Sequence, residues 1–295
     1  MAVPLSPSPT QGSPGRGSPD GAPELELERL EIELLLEAVY RRYGFDFRQY
    51  AQASLKRRLH RRLLAEGLET ISQLQSRLLH EPACMERLLV DLSINVTSMF
   101  RDPSFYVAFR EKIVPALHTY PFTRIWCAGC SSGEEVYSLA ILLQEEGLYE
   151  RTRLYATDIN EHALATARAG VFPLDRMKQY TQNYIRAGGK RDFSEYYVAA
   201  YDNAQFSRAL TENVVFAQHN LAMDRGFNEF NVIVCRNVLI YFDRALQDDV
   251  HGLFYESLGM FGILALGHKE SIRFTAYADR YEEMDTDERV YRKIA

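Results

Sequence analysis

The stretch 125–140, IWCAGCSSGEEVYSLA, restricts what this chain can fold into more than any other. The β-rich run RIWCA meets a turn bounded by Gly129 and Gly133, and an apolar helical pattern then begins at Glu134. That order of strand, glycine turn and helix is a βα unit, which needs further parallel strands beside it to bury both of its faces. The chain supplies them in RLYATDI, NVVFAQHN, FNVIVCRN and GILALG, with helical patterns after most of the runs. From Pro103 onward the spacing therefore predicts an α/β, doubly wound sheet with crossover helices.

The chain before Pro103 has a different texture. Residues 1–23 hold six of the eleven prolines, four glycines and four serines, a composition expected to form a disordered tail. Residues 24–92 read as an all-helical domain. LELERLEIELLLEAVYRRYG carries apolar residues at 3–4 spacing with Gly44 as its stop, and SLKRRLHRRLLAEG places Leu55, Leu59 and Leu63 on one face. Two further helical runs, ISQLQSRLLH and ACMERLLVDLSI, complete it. Residues 93–103 are then a linker, and 104–295 the second domain. With 46% hydrophobic residues in 295, the chain can build a sizeable core.

Four cysteines are too few for a disulfide framework at this length, and the N-terminus lacks a charged segment followed by an apolar one, so a reducing cytoplasm is expected. No apolar run approaches the roughly 20 residues that cross a bilayer, and no membrane insertion is expected. A net charge of −6 argues against nucleic acid as the main partner.

The glycine pair alone is a weak sign of a ligand. It gains weight from Asp158, which ends the second strand 25 residues after Gly133, where an acid accepts hydrogen bonds from the two hydroxyls of an adenosine ribose. Cys127-x-x-Cys130 lacks the second ligand pair that zinc needs, and its cysteines flank a strand end where a redox pair would open a helix. No metal is expected, and the two read as a buried small residue and a small loop residue near the ligand. The phosphate-binding pattern G-x-G-x-x-G is absent, and Glu134 and Glu135 open the helix where a pyrophosphate would be repelled. S-adenosylmethionine carries no phosphate and presents an ammonium group, which suits that acid pair.

Six segments then occur together and in order: SINVTSMFRD (93–102), IWCAGCSSGEEVYSLA, YATDIN, HNL (219–221), CRNVLIYFD (235–243) and GILALGHKES (262–271). In these the chain, from about residue 24 to its end, resembles the CheR-type chemotaxis receptor (MCP) glutamate O-methyltransferases. The resemblance implies the class I S-adenosylmethionine-dependent methyltransferase fold, Rossmann-like, preceded by the helical domain. It implies methyl esterification of glutamate side chains on the cytoplasmic helical bundle of chemotaxis receptors, in chemotaxis signal transduction, by a protein expected to be a monomer. A glutamate carboxylate is ionised at pH 7, so positioning should supply most of the catalysis. For the donor and its product S-adenosylhomocysteine, the resemblance points to Asp158 on the ribose, Glu134 on the amino group and Arg101 on the carboxylate. The loop from Gly129 to Gly133 should pass beneath, with Asn95 and Thr97 closing over. Asn220, Leu221, Arg236 and Asn237 should lie at strand ends, and Tyr241, with Arg101, near the transferred methyl.

Lys56 and Arg57, Arg58, Arg61 and Arg62 put five cations within seven residues of one helix. As the family's substrates are glutamate-rich helices, the four arginines are expected to steer and seat the receptor. The connection after Gly170 is too long for a simple crossover, and SEYYVAAY and AQFSRAL, separated by DN, read as a hairpin. The resemblance implies a small antiparallel β-subdomain there, over about 171–213, which in some members captures a tether peptide from the receptor C-terminus. Those members carry a glycine-rich turn, against which this chain has only Gly188-Gly189, so no useful tether affinity is expected. Two readings remain beside the main one: a methyltransferase acting on RNA or another substrate, and an inactive donor-binding adaptor. The segment after the fourth strand, CRNVLIY, lacks the Pro-Pro and aromatic typical of enzymes that methylate base amino groups.

Overall fold

The computed structural model describes residues 21–92, 97–226 and 228–295. Asn95 and residues 1–20 of the expected tail lie outside them. Four helices open the chain: α1 (Gly21–Tyr43), α2 (Gln52–Ala65), α3 (Ile71–His80) and α4 (Pro82–Leu92). Helix α1 starts three residues before the compositional boundary at Glu24, because a proline in a first turn gives up no helical hydrogen bond. It stops at Gly44, whose φ of +75° suits a left-handed helix terminus and whose N–H bonds to Tyr40 at 2.8 Å. Leu55, Leu59 and Leu63 of α2 pack against Leu35, Leu74 and Leu88 in one small core. A reciprocal Thr70 and Gln73 cap starts α3.

The linker leads into α5 (Pro103–Ala108), which runs through a π-helical turn into α6 (Val114–Leu117). The α/β unit follows as β1 (Thr123–Ala128), α7 (Glu134–Glu145), β2 (Thr152–Asp158) and α8 (Glu161–Ala169). An insertion contributes β3 (Val171–Pro173), α9 (Met177–Arg186), β4 (Tyr197–Ala200) and β5 (Asn203–Phe206). The chain closes with β6 (Val214–Gln218), β7 (Phe230–Cys235), α10 (Arg244–Ser257), β8 (Leu258–Leu266), β9 (Tyr281–Asp285) and β10 (Val290–Lys293).

The main sheet has the order β6-β2-β1-β7-β8-β10-β9, parallel as far as β8, with β10 antiparallel between β8 and β9. Both faces are covered. Ile125, Cys127, Val232 and Val234 point into the core under α7, while Trp126, Ala128, Ile233 and Cys235 point into the core under α10. This is the period-2 alternation of a strand buried on both sides. The sheet is the doubly wound, Rossmann-like one that the resemblance implies. The β9–β10 hairpin was not among the strands read from the sequence, because YEEMD carries three acids and has no buried-strand signature.

The insertion forms a three-stranded sheet, β3-β5-β4. Its turn falls on Tyr201-Asp202, with Ala200 paired to Asn203, one residue before the Asp202-Asn203 turn expected. Buried Glu145 of α7 anchors this unit through the hydroxyls of Tyr184 and Tyr196 and the Lys190 N–H. The helical domain meets the sheet domain along backbone: Ala51 N–H bonds to the Tyr241 carbonyl at 2.9 Å, and Asp243 N–H to the Gln49 carbonyl at 2.8 Å. None of the helices among the described residues is long and apolar enough to cross a membrane.

Candidate active site

A cleft opens at the C-terminal edge of the parallel strands, where the helical domain and linker cover it. Of the residues expected there, Thr97, Arg101, Gly129 and Asp158 line it from the linker, β1 and β2. Asn220, Leu221, Arg236, Asn237 and Tyr241 line it from the ends of β6 and β7.

The glycines divide their work. A Cβ on Gly129 would lie 2.5 Å from Val238 Cγ2, so this turn can touch the loop after β7 only without a side chain. Gly133 is not on the lining. Its Cβ would lie 2.7 Å from that of Ala167, so it serves the close packing of α7 on α8.

Asp158 ends β2 with one carboxylate oxygen accepting the Ser131 N–H at 2.8 Å and the other the Asn160 N–H at 2.9 Å. Burial pushes its pKa up, and the backbone donors pull it back. A carboxylate has about four acceptor positions, so capacity remains for ligand hydroxyls. His219 N–H bonds to the Asp158 carbonyl at 3.1 Å and draws the end of β6 alongside. The Asn220 side-chain oxygen accepts the Ala222 N–H at 3.0 Å, which leaves its NH₂ as a donor for a ligand.

The two glutamates of α7 separate. Glu134, the one expected at the donor's amino group, is 2% exposed and absent from the cleft lining. It accepts from Ser132 Oγ at 2.7 Å and Tyr180 Oη at 3.3 Å, and burial pushes its pKa up. Glu135 is the glutamate that lines the cleft. It faces Arg236, which is buried, lies 3.2 Å from Glu135 and 2.9 Å from Asp102, and sits 4.1 Å from the centre of the Phe105 ring. A surface charge at a strand end would look nothing like this. Arg236 ties α7, the linker and β7 together, and also donates to the Arg101 carbonyl at 3.3 Å.

A second groove shares Thr97, Ser98 and Arg101 with the cleft and is also lined by Arg176 and Tyr180. Those last two residues contact the buried Glu134 carboxylate, Tyr180 Oη at 3.3 Å and Arg176 at 3.8 Å.

The basic helix does not present its arginines as expected. Arg58 is 3% exposed, bonds to the Leu92 carbonyl and lies 5.0 Å over the Tyr241 ring. Arg62 is held 2.6 Å from Asp91 and 3.1 Å from Glu66, whose pKa is lowered to about 2 by Arg87, Arg62 and Arg77. Both face inward because they continue the side of α2 that carries Leu55, Leu59 and Leu63. Lys56 pairs with Glu28. Of the five, only Arg57 and Arg61 are exposed, with no ion pair among the described residues.

Several lining residues were given no role by the sequence, although Val238 and Phe242 lie within CRNVLIYFD. Tyr50 reaches the cleft from the connection between α1 and α2, and Val238 and Phe242 enter from the loop after β7. Tyr241 has its pKa raised by burial, with Arg58 and Arg101 acting against that rise. Cys127 and Cys130 are buried thiols whose pKa values burial raises well above the usual range, the opposite of a reactive thiolate. Among the described residues no group of three His, Cys, Asp or Glu is placed to hold a metal.

Residues 30–93 match the model of the CheR methyltransferase all-alpha domain, and residues 95–290 that of the CheR methyltransferase SAM-binding domain. A Pseudomonas putida protein, Cher3, described as a methyltransferase, is 52% identical over 264 residues, covering 90% of this chain and 97% of its own. A chemotaxis protein methyltransferase of Borreliella burgdorferi is 29% identical over 264 residues, with 84% and 90% covered. That of Salmonella typhimurium is 29% identical over 259 residues, with 84% and 85% covered. The cleft suits an adenosine donor, with an acceptor carboxylate at the end of β2 and no phosphate-binding glycine pattern. This chain belongs to the CheR methyltransferase family and binds S-adenosylmethionine.

Proposed function

We propose that this protein methylates glutamate side chains on the cytoplasmic helices of chemotaxis receptors, acting as a cytoplasmic monomer in chemotactic adaptation. The observation that carries the reading is that two grooves share Thr97, Ser98 and Arg101 in their walls, one lined also by Asp158 and the other by Arg176 and Tyr180. Such an arrangement lets a donor and an anionic side chain meet at those shared residues. Two relatives named chemotaxis protein methyltransferases, matched over 90% and 85% of their own lengths, support a role in chemotaxis.

When bound, S-adenosylmethionine supplies an electrophilic methyl group. In this reading Asp158 holds the ribose hydroxyls, and Asn220, Leu221 and Asn237 enclose the rest of the nucleoside. Arg101 takes the donor's carboxylate, for which a guanidinium offers paired donors. Glu135, which lines the cleft and is held in place by Arg236, takes the amino group in place of Glu134. Tyr241 borders the methyl-transfer point. The acceptor carboxylate arrives ionised, so the protein's task is to align it and partly strip it of water. Arg57 and Arg61 meet the acidic receptor helix.

Tritiated donor incubated with receptor cytoplasmic fragments, and separately with total RNA, tests the reading. Base-labile label on mapped glutamates is the expected result. Label in RNA, or donor binding with no label in either, would replace it with the RNA enzyme or the inactive adaptor.

A further inference from the structure

The loop after β7 carries Asn237, Val238 and Tyr241 into the cleft, and it is held by a residue that does not itself line the cleft. Glu270 follows β8 and is 4% exposed. One of its carboxylate oxygens accepts the N–H groups of Asn237 at 2.9 Å and Gly267 at 2.6 Å. The other accepts those of Val238 at 2.8 Å and Leu239 at 2.7 Å. We propose that Glu270 is a positioning residue whose carboxylate clamps three successive N–H groups and so sets where Asn237 and Tyr241 stand in the donor cleft.

The three amides open the short turn Leu239–Tyr241, where no backbone carbonyl is available to them. A carboxylate there satisfies them together and faces the positive end of their dipoles. All four neighbours are donors, so the clamp requires the ionised form: a protonated oxygen would set an O–H against an N–H. Asn237 sits at φ +62°, in the left-handed region that asparagine adopts more readily than other non-glycine residues. Gly267 completes the device, since a Cβ there would lie 2.7 Å from the Glu270 carboxylate and 2.9 Å from Asn237 N. From the other side the Tyr241 carbonyl takes the Ala51 N–H, so the loop is fixed at both ends and displacement at Glu270 must be absorbed between them.

The proposal rests on the donor site and, for turnover, on the proposed receptor reaction. In Glu270→Gln the side-chain NH₂ faces two N–H groups, so half of the clamp is lost while volume is kept. Full-length variants are titrated calorimetrically with S-adenosylhomocysteine, and hydrogen exchange is followed at residues 237–239. We expect a stoichiometry near one, affinity lowered about tenfold or more, faster exchange confined to the loop, and turnover on receptor fragment down by up to about a hundredfold, the scale of a 1 Å misplacement. Gly267→Ala pushes on the same clamp from outside and should behave alike, which decides the matter if Glu270→Gln does not fold. Wild-type affinity with wild-type protection of residues 237–239 in either folded variant overturns the proposal, as does exchange that accelerates uniformly over the chain. If wild type labels no receptor fragment, the receptor reading fails, and affinity and exchange still judge the clamp.

Discussion

Removing Asp158 tests the donor site most directly, because the structure separates what its carboxylate does for the ligand from what it does for the fold. The Ser131 and Asn160 N–H groups already occupy part of each oxygen, and the remaining acceptor positions are those assigned to the ribose hydroxyls. Hydrogen bonds to a charged group contribute about 1.5–3 kcal/mol, so Asp158→Ala should weaken S-adenosylhomocysteine about 10- to 150-fold at about 1.4 kcal/mol per factor of ten. The variant should also lose some thermal stability, since two backbone donors lose their acceptor; the open cleft lets water replace it. Calorimetry with the product is the appropriate assay, as the product cannot turn over and keeps the anchoring groups. A 2′-deoxy analogue isolates the contact: wild type should bind it less well than the parent, and Asp158→Ala should bind the two alike. Unchanged product affinity in a folded variant, or an undiminished preference for the 2′-hydroxyl, would refute the assignment.

Charge reversal of Arg57 and Arg61 should raise the apparent KM for receptor roughly two- to tenfold and flatten its salt dependence, with donor affinity unchanged in calorimetry. Buried His251 has its pKa lowered to about 4 by desolvation, from an unfolded value of 6.5. The stability tied to its neutral form is complete above pH 6.5 and is lost as pH falls through 4. At about 1.36 kcal/mol per pH unit this reaches about 3 kcal/mol, and denaturant titrations of His251→Leu should show a flatter decline over that window. The isolated C-terminal pentapeptide of a receptor should give no saturable isotherm in the micromolar range; clear binding, abolished by deleting residues 194–210, would show that the β4–β5 hairpin takes a tether after all.

The architecture was legible because its signals are local. A strand, a glycine turn and a helix within sixteen residues announce a βα unit, and Asp158 is readable because a strand end lies at a countable distance from that turn. The three leucines of α2 followed from helical spacing alone. Other features depend on contacts that spacing does not encode. Glu134 and Glu135 are neighbours with the same chemistry, and only Ser132 and Tyr180 on one side and Arg236 on the other decide which carboxylate meets the cleft. Arg58 resembles Arg57 as a letter, yet one helical step turns it under the Leu92 carbonyl and over Tyr241. Tyr50 enters the cleft from the other domain, and Glu270 is 31–33 residues away from the amides it holds. Sequence by itself determined the order of the parallel strands with their helices and the glycine turn after β1, since periodicity and glycine spacing act within a few residues. Tertiary structure decided which charges are buried, which face the ligand and which hold the loop, since those outcomes depend on surfaces brought together from distant parts of the chain.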